Sequence, residues 1–406
     1  MNRRDFLKLS TMAAASPIVS AFGAPKTDAT SQQSAAGSAL FRVKPYVQLF
    51  DEDSVCITWM TSEKTTGYVI WSQDRFSSAG QRAWDETDGL LDANFFVHRA
   101  TIVGIDPKKP LLYRVRSRPF EKFGPYGVKY SAPEETFYGE IKELLPKNGV
   151  VSWGMLNDVH ERTSIIKRFI PHMKDLNGFC CMNGDIMNYV ESENGVVGCI
   201  TKPFSWVAQE AHLPVWYLRG NHETRGCFAR NLRDYLALKD GRYYGAATLG
   251  GVRFAFLDSG EDKSDRNGEY SGLVAFDRYI EAQNKWLERE VASPAWKKAQ
   301  ARVVFRHIPF PLRPTDSKGG WKHKLPRLTD MDKILQGANV SLGMSAHIHF
   351  AEWYLPIPER PYHLITGGGP DPNDAYLTKC FFYNRKLKIV QIDEKGKKSF
   401  DRMISV

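Results

Sequence analysis

Five short clusters of carboxylate, amide and imidazole residues close apolar runs along this chain. They are Asp158-Val159-His160, Gly184-Asp185, Asn221-His222, His307 and His347-Ile348-His349. The stretch Arg219-Gly220-Asn221-His222-Glu223 shows the local logic. It ends the apolar run Leu213–Leu218, which reads as a buried strand, and its glycine lets the backbone reverse close to a ligand. The turn then presents an amide oxygen beside an imidazole. Hard or borderline metals accept that oxygen, and an imidazole can protonate a leaving group. In Asp158-Val159-His160 a single intervening residue lets a carboxylate and an imidazole reach one ion as the chain leaves its strand. Together the clusters offer the oxygens of Asp158, Asp185 and Asn221 and several imidazoles. That set is enough for two divalent or trivalent ions sharing one carboxylate.

Such clusters need strands to carry them, and ends of neighbouring strands are where α/β sheets assemble sites. From about residue 148 the texture alternates between strand and helix, the mark of an α/β domain. Val150–Leu156 and Phe179–Met182 read as strands. Between them Ile165, Ile166, Phe169, Ile170 and Met173 share one helix face. Helices are predicted at Phe204–Ala211, Phe228–Leu238 and Phe276–Val291. Gly250-Gly251 marks a hairpin turn, and later strands are predicted at Arg302–Phe305, Val340–Ser345 and Tyr362–Thr366. Residues 41–139 carry only β signals, such as Tyr46–Phe50, Ser54–Met60, Gly67–Trp71, His98–Ile105 and Leu111–Arg118, and fit a small β-sandwich. His98 reads there as a plain strand residue. A linker over residues 140–150 joins the two regions.

The order of the five clusters resembles the calcineurin-like metallophosphoesterase superfamily, whose pattern runs Asp-x-His, Gly-Asp, Gly-Asn-His-Asp/Glu, His, Gly-His-x-His. The resemblance implies a four-layer α-β-β-α sandwich over residues 148–406. It also implies a first metal on Asp158, His160, Asp185 and His349, and a second on Asp185, Asn221, His307 and His347. His222 would lie beside the phosphate as the catalytic imidazole, with a carboxylate such as Asp158 as its partner. Arg225 is the candidate for binding a phosphate oxygen bidentately. Residues 41–139 are similar to the fibronectin-like domain that precedes purple-acid-phosphatase-like enzymes, through Pro45-Tyr46-Val47-Gln48, Ile57-Thr58-Trp59 and the corner tyrosine Tyr113. Two departures stand out: Ala346 replaces the glycine of the last motif, and Asn188 stands where the purple enzymes have their tyrosine, with Tyr189 one place on. With His160 present as well, the chain reads as a non-purple relative, its metals iron, manganese or zinc.

The formal charge of +9 favours anionic partners, and hydrophobic residues at 42% with charged residues at 25% exclude a disordered chain. No dense basic run interleaved with aromatics supports a nucleic-acid partner. The six cysteines show no zinc spacing. Residues 1–24, with Arg3-Arg4-Asp5-Phe6-Leu7-Lys8, resemble a twin-arginine signal peptide, and residues 25–40 read as a linker. A periplasmic or secreted protein is expected, with no integral membrane segment in the mature chain. The function expected is hydrolysis of phosphate monoesters by metal-activated water. The alternatives are a phosphodiesterase acting on nucleotide or lipid-headgroup diesters, and a non-catalytic metal-containing envelope binding protein.

Overall fold

Alternating apolar residues between turns produce nine strands before residue 142: β1 (Phe41–Asp51), β2 (Ser54–Ser72), β3 (Gln81–Ala83), β4 (Glu86–Thr87), β5 (Leu90–Leu91), β6 (Ala93–Val103), β7 (Leu111–Gly124), β8 (Gly127–Tyr130) and β9 (Glu135–Ile141). The computed structural model describes residues 39–74, 80–313, 325–371 and 373–406. The signal segment and residues 25–38 lie outside them. The runs Ser54–Met60 and Gly67–Trp71 belong to one strand, β2, which pairs with β6 along its first part and with β7 along its second.

Beyond residue 150 strands and helices alternate. The elements are β10 (Val151–Leu156), α1 (Ser164–Met173), β11 (Phe179–Asn183), α2 (Glu193–Val196), α3 (Lys202–Glu210), β12 (Val215–Leu218), β13 (Gly245–Leu249), β14 (Val252–Leu257), α4 (Phe276–Ala292), α5 (Pro294–Lys298), β15 (Ala301–Arg306), α6 (Pro326–Gln336), β16 (Leu342–Ser345), β17 (Glu352–Tyr354), β18 (His363–Thr366), β19 (Leu377–Tyr383), β20 (Lys386–Ile392) and β21 (Lys398–Ser405).

Two sheets result. One contains the parallel trio β10-β11-β12 with β19, β20 and β21 antiparallel beside it; the other runs β13-β14-β15-β16-β18-β17. Strands buried on both faces explain why these runs are continuously apolar rather than alternating. Trp153, Phe179, Phe254, Phe256 and Phe305 fill the space between the sheets, all fully buried. Phe179 and Phe254 meet edge to face with centroids 5.1 Å apart. On the far side of the first sheet pack Ile166 and Phe169 of α1 and Phe204 and Val207 of α3. Ile280 and Leu287 of α4 and Met331 and Leu335 of α6 do the same for the second. The layers are therefore α-β-β-α.

The all-β region is continuous with this body. β1 adds parallel to β12 through Gln48 and Val215, so the N-terminal strands extend the first sheet. The Gln48 amide donates to the Ala237 carbonyl at 3.1 Å and accepts from the Ala237 N–H at 2.8 Å. The same junction alters one expected element. The helical period of Phe228–Leu238 is met by a 3₁₀ stretch, Ala229–Tyr235. Its C-terminal carbonyls are claimed from outside, Tyr235 by the Tyr46 hydroxyl and Asp234 by the Arg99 guanidinium. At Gly250-Gly251, φ values of 54° and 85° make the tight reversal between β13 and β14.

Candidate metal centre

All five clusters sit just beyond the C-terminal ends of parallel strands: Asp158 and His160 after β10, Asp185 after β11, Asn221 and His222 after β12, His307 after β15, His347 and His349 after β16. Leaving a strand and turning inward at once demands unusual backbone. Asp158, His160, Glu161, Asp185, His347 and His349 all have positive φ, between 46° and 73°. Non-glycine residues in that region cost free energy and persist where surrounding contacts enforce them. Two glycines make room below. A Cβ on Gly220 would lie 2.2 Å from Asp185 Oδ1, and one on Gly184 would lie 2.5 Å from His307 Nδ1.

The side chains converge. Ligand atoms of Asp158, His160 and His349 lie within 4.8 Å of one another, as do those of Asp185, His307 and His347 and those of His160, Asp185 and His222. Asp185 belongs to two of the three groups, which is the arrangement a bridging carboxylate requires. Its Oδ2 lies 3.1 Å from His307 Nε2 and 4.0 Å from both His160 Nε2 and His222 Nε2. Asp158 Oδ1 lies 3.3 Å from His349 Nε2. Asn221 is fully buried, and its Oδ1 is 2.9 Å from His347 Nδ1.

Acceptors outside the cluster fix the imidazole tautomers. His307 Nδ1–H donates to the Asn183 carbonyl at 2.7 Å, leaving Nε2 toward Asp185. His160 Nδ1–H donates to Asn188 Oδ1, and His222 Nδ1–H donates to the Asn188 carbonyl, both at 2.8 Å. Asn188 thus orients two imidazoles at once. The partner of His222 is this carbonyl rather than a carboxylate such as Asp158, whose Oδ2 accepts from the Asn157 amide and the His347 N–H. A metal-binding imidazole whose far nitrogen is held in this way, as in His160 and His307, can offer Nε2 to an ion, while the same anchoring aims Nε2 of His222 at the cluster.

Charge and burial test whether ions fit. Asp158 Oδ1 and His307 Nε2 are buried, and although they lie 3.3 Å from His349 Nε2 and 3.1 Å from Asp185 Oδ2, neither makes a well-formed hydrogen bond. Buried polar atoms without partners are uncommon, and these two are of ligand type and face the same space. Burial works against the charge on Asp185, but His307 beside it outweighs that and holds the carboxyl below its usual range. Burial alone would lower His307; Asp185 instead pushes it up to about 10. Burial and the neighbouring His307 bring His347 down to about 3. Two carboxylates and a set of imidazoles so close together require positive charge among them, which two metal ions would meet.

Sequence reasoning assigned no role to Glu223, Asn157 or Asn188. Glu223 is fully buried, and its carboxylate accepts from the N–H groups of Asp185 (2.9 Å), Ile186 (2.6 Å), Met187 (3.0 Å) and Gly220 (2.9 Å). It clamps two strand-end turns together. Burial, with Asp185 nearby, pushes it up to about 7. The Asn157 amide donates to Asp158 at 2.7 Å and to the Gly368 carbonyl at 2.8 Å. Its close fit explains Gly367, since a Cβ there would fall 1.7 Å from Asn157 Oδ1, while a Cβ on Gly368 would meet the Asp374 carbonyl and one on Gly369 the His349 side chain.

Arg225 does not point a free guanidinium at the cluster. It donates to both oxygens of Glu261, at 2.9 and 2.8 Å, and to Asp262 at 2.9 Å. Glu261 also accepts from Thr224 and Tyr270. Arg162 pairs with Asp371, and Arg219 with Asp258.

The model of the family described as calcineurin-like phosphoesterase matches residues 154–351, a span holding every cluster named above. A purple acid phosphatase, PPD1, from seeds of yellow lupin (Lupinus luteus) has a similar structure. Its TM-score is 0.63 at 12% identity, over 89% of this chain and 74% of that one. A structure of PhoD has a TM-score of 0.58, also at 12% identity, over 91% of this chain and 94% of that one. At such identities the likeness is one of fold. Comparison with curated proteins returned no match.

Proposed function

We propose, for a chain that belongs to the calcineurin-like metallophosphoesterase superfamily and is a metal-dependent phosphoesterase, the following assignment of roles. Asp158, His160, Asp185 and His349 hold one ion; Asp185, Asn221, His307 and His347 hold the other. The observation that carries this reading is that Asp185 lies in two ligand groups at once, beside buried ligand-type atoms whose close polar neighbours belong to the same cluster. The bound metals would supply Lewis-acid polarisation of the phosphoryl oxygen and activation of water. The chain's own residues supply position and protons. Asn188 keeps Nε2 of His222 directed at the cluster, where a protonated imidazole gives its proton to the departing alkoxide. Glu223 and Asn157 hold the carboxylates still, because a ligand that swings loses the geometry on which the reaction depends.

The sequence expectation of monoesters leaned on Arg225 to meet the second charge of a phosphate monoester. With that guanidinium engaged by Glu261 and Asp262, the described residues favour the diester, whose single charge asks for no further cation. Paired aryl phosphate mono- and diester substrates, tested on metal-loaded mature protein with Asp185→Asn as control, separate the readings. Faster diester turnover is expected. A monoester rate ten times the diester rate would return the assignment to monoesters, and turnover surviving in Asp185→Asn would remove the site. For residues 41–139 we favour the fibronectin-like sandwich, and for residues 1–24 a twin-arginine signal that delivers the enzyme to the periplasm or beyond.

A further inference from the structure

Exposed large apolar side chains gather in the N-terminal region in two places of opposite charge. The first is a ribbon. β7 pairs with β2 only as far as Pro119; from Phe120 to Gly124 it pairs, among the described residues, with β8 alone. Phe123 is 51% exposed, Tyr126 102% and Val128 42% at the end of this ribbon. Three exposed cations, Arg118, Lys122 and Lys129, accompany them against one exposed anion, Glu121. An isolated two-stranded ribbon is marginal in water, and an apolar tip makes it more so.

The second place is the β4–β5 hairpin and the start of β6. Leu90 is 75% exposed, Leu91 55% and Phe95 54%. From Trp84 to Phe96 the chain carries the carboxylates Asp85, Glu86, Asp88 and Asp92 and no cation. The two places are neighbours. Thr65 of β2 is the register partner of Phe95 on β6 and of Pro119 on β7, so the patches begin on opposite sides of one residue. Adjacent strands lie about 4.8 Å apart, which puts these roots within about 10 Å of each other.

We propose that these patches form a reciprocal interface between two copies of this chain, the basic ribbon of each lying on the acidic hairpin of the other. Side-by-side patches of opposite charge are what a twofold axis pairs with themselves, since each contact then occurs twice. The charge pattern selects this occupant over an anionic membrane, which would attract the ribbon but repel the hairpin beside it. Residues of the metal cluster take no part.

Sedimentation velocity across a concentration series at low and high salt tests the proposal. The wild-type chain should dimerise, with association weakening at least tenfold in high salt. Lys122→Glu with Lys129→Glu should be monomeric, and so should Glu86→Lys with Asp92→Lys. Mixing the two variants should restore a heterodimer, because both contacts are then complementary again. Phosphoesterase turnover and the thermal melting point, unchanged in both variants, show that fold and site are intact. A wild type that stays monomeric at high protein concentration would overturn the proposal, as would failure of the mixture to associate. Binding to phosphatidylglycerol vesicles by a monomeric wild type, lost in the lysine variant, would assign the ribbon to a membrane instead.

Discussion

His98 in the all-β region and His307 at the end of β15 are both buried histidines, yet their surroundings drive them in opposite directions. His98 stacks on Trp59 with ring centroids 5.3 Å apart and meets the Thr65 hydroxyl at 2.7 Å. Burial, with Arg99 adding to it, brings its imidazole down to about 4. His307 pays the same desolvation, but Asp185 lies 3.1 Å away and pushes it up to about 10. Burial alone makes a histidine a neutral packing group. Burial beside a carboxylate makes it a group that must share positive charge, either as a proton or as a metal. The backbones differ in the same sense. In the N-terminal region Asp88 and Asn94 are the described non-glycine residues with positive φ, whereas at the site five of the metal ligands and Glu161 have it.

Removing the shared carboxylate breaks this contrast most severely. Asp185→Asn should release the metals and lower turnover by about 10³-fold or more, since each ion is worth several kcal/mol of transition-state stabilisation. Metal analysis by mass spectrometry and aryl phosphate assays read both effects. Full metal content in the variant would mean that Asp185 is not the bridge.

His222 makes a sharper distinction between holding metal and moving protons. His222→Ala should cost about 10²-fold or more in kcat while metal content persists. Substrates with very acidic leaving groups should show the smallest loss, because they depart without a proton. An equal loss across leaving groups would assign His222 to phosphate positioning instead. Glu223→Gln tests the frame alone. One amide oxygen cannot accept what two carboxylate oxygens accept from four N–H groups, and unpaired buried donors cost about 3 kcal/mol together. A lowered melting point with weakened metal retention is expected. A variant melting with the wild type would show that the two turns do not depend on this clamp.

The site was legible because its chemistry is local: ligand-type residues follow apolar runs, and each run became a strand of the expected sheets. Residues whose partners are distant in sequence were not legible. Glu223 is readable as part of Gly-Asn-His-Glu, but nothing in its neighbourhood says that Asp185, Ile186 and Met187 bring their N–H groups to it. Arg225 reads as free because Glu261 and Asp262 lie 36 and 37 residues away. The addition of β1 to β12 was hidden for a related reason. Pairing through one register position, Gln48 with Val215, leaves no pattern in either strand. Asn188 was noticed as a departure, and only geometry shows that its two oxygens serve two imidazoles.

The smallest expected effect tests the other half of the contrast. His98 has its folded pKa depressed to about 4 from an ordinary value of 6.5. Below pH 6.5 the unfolded chain therefore takes up a proton that the folded chain refuses. Its stabilising contribution is complete above pH 6.5 and is lost as the pH falls through 4. In that window the slope approaches about 1 kcal/mol per pH unit. His98→Gln keeps a neutral polar side chain without a titrating ring. The stability gap between wild type and variant, measured by urea unfolding of metal-loaded protein at pH 7, 6 and 5, should narrow on acidification by that slope. Metal-site protonation acts on both proteins alike and cancels in the difference. A gap independent of pH would mean that His98 is protonated as easily folded as unfolded, and burial alone would no longer separate the two histidines.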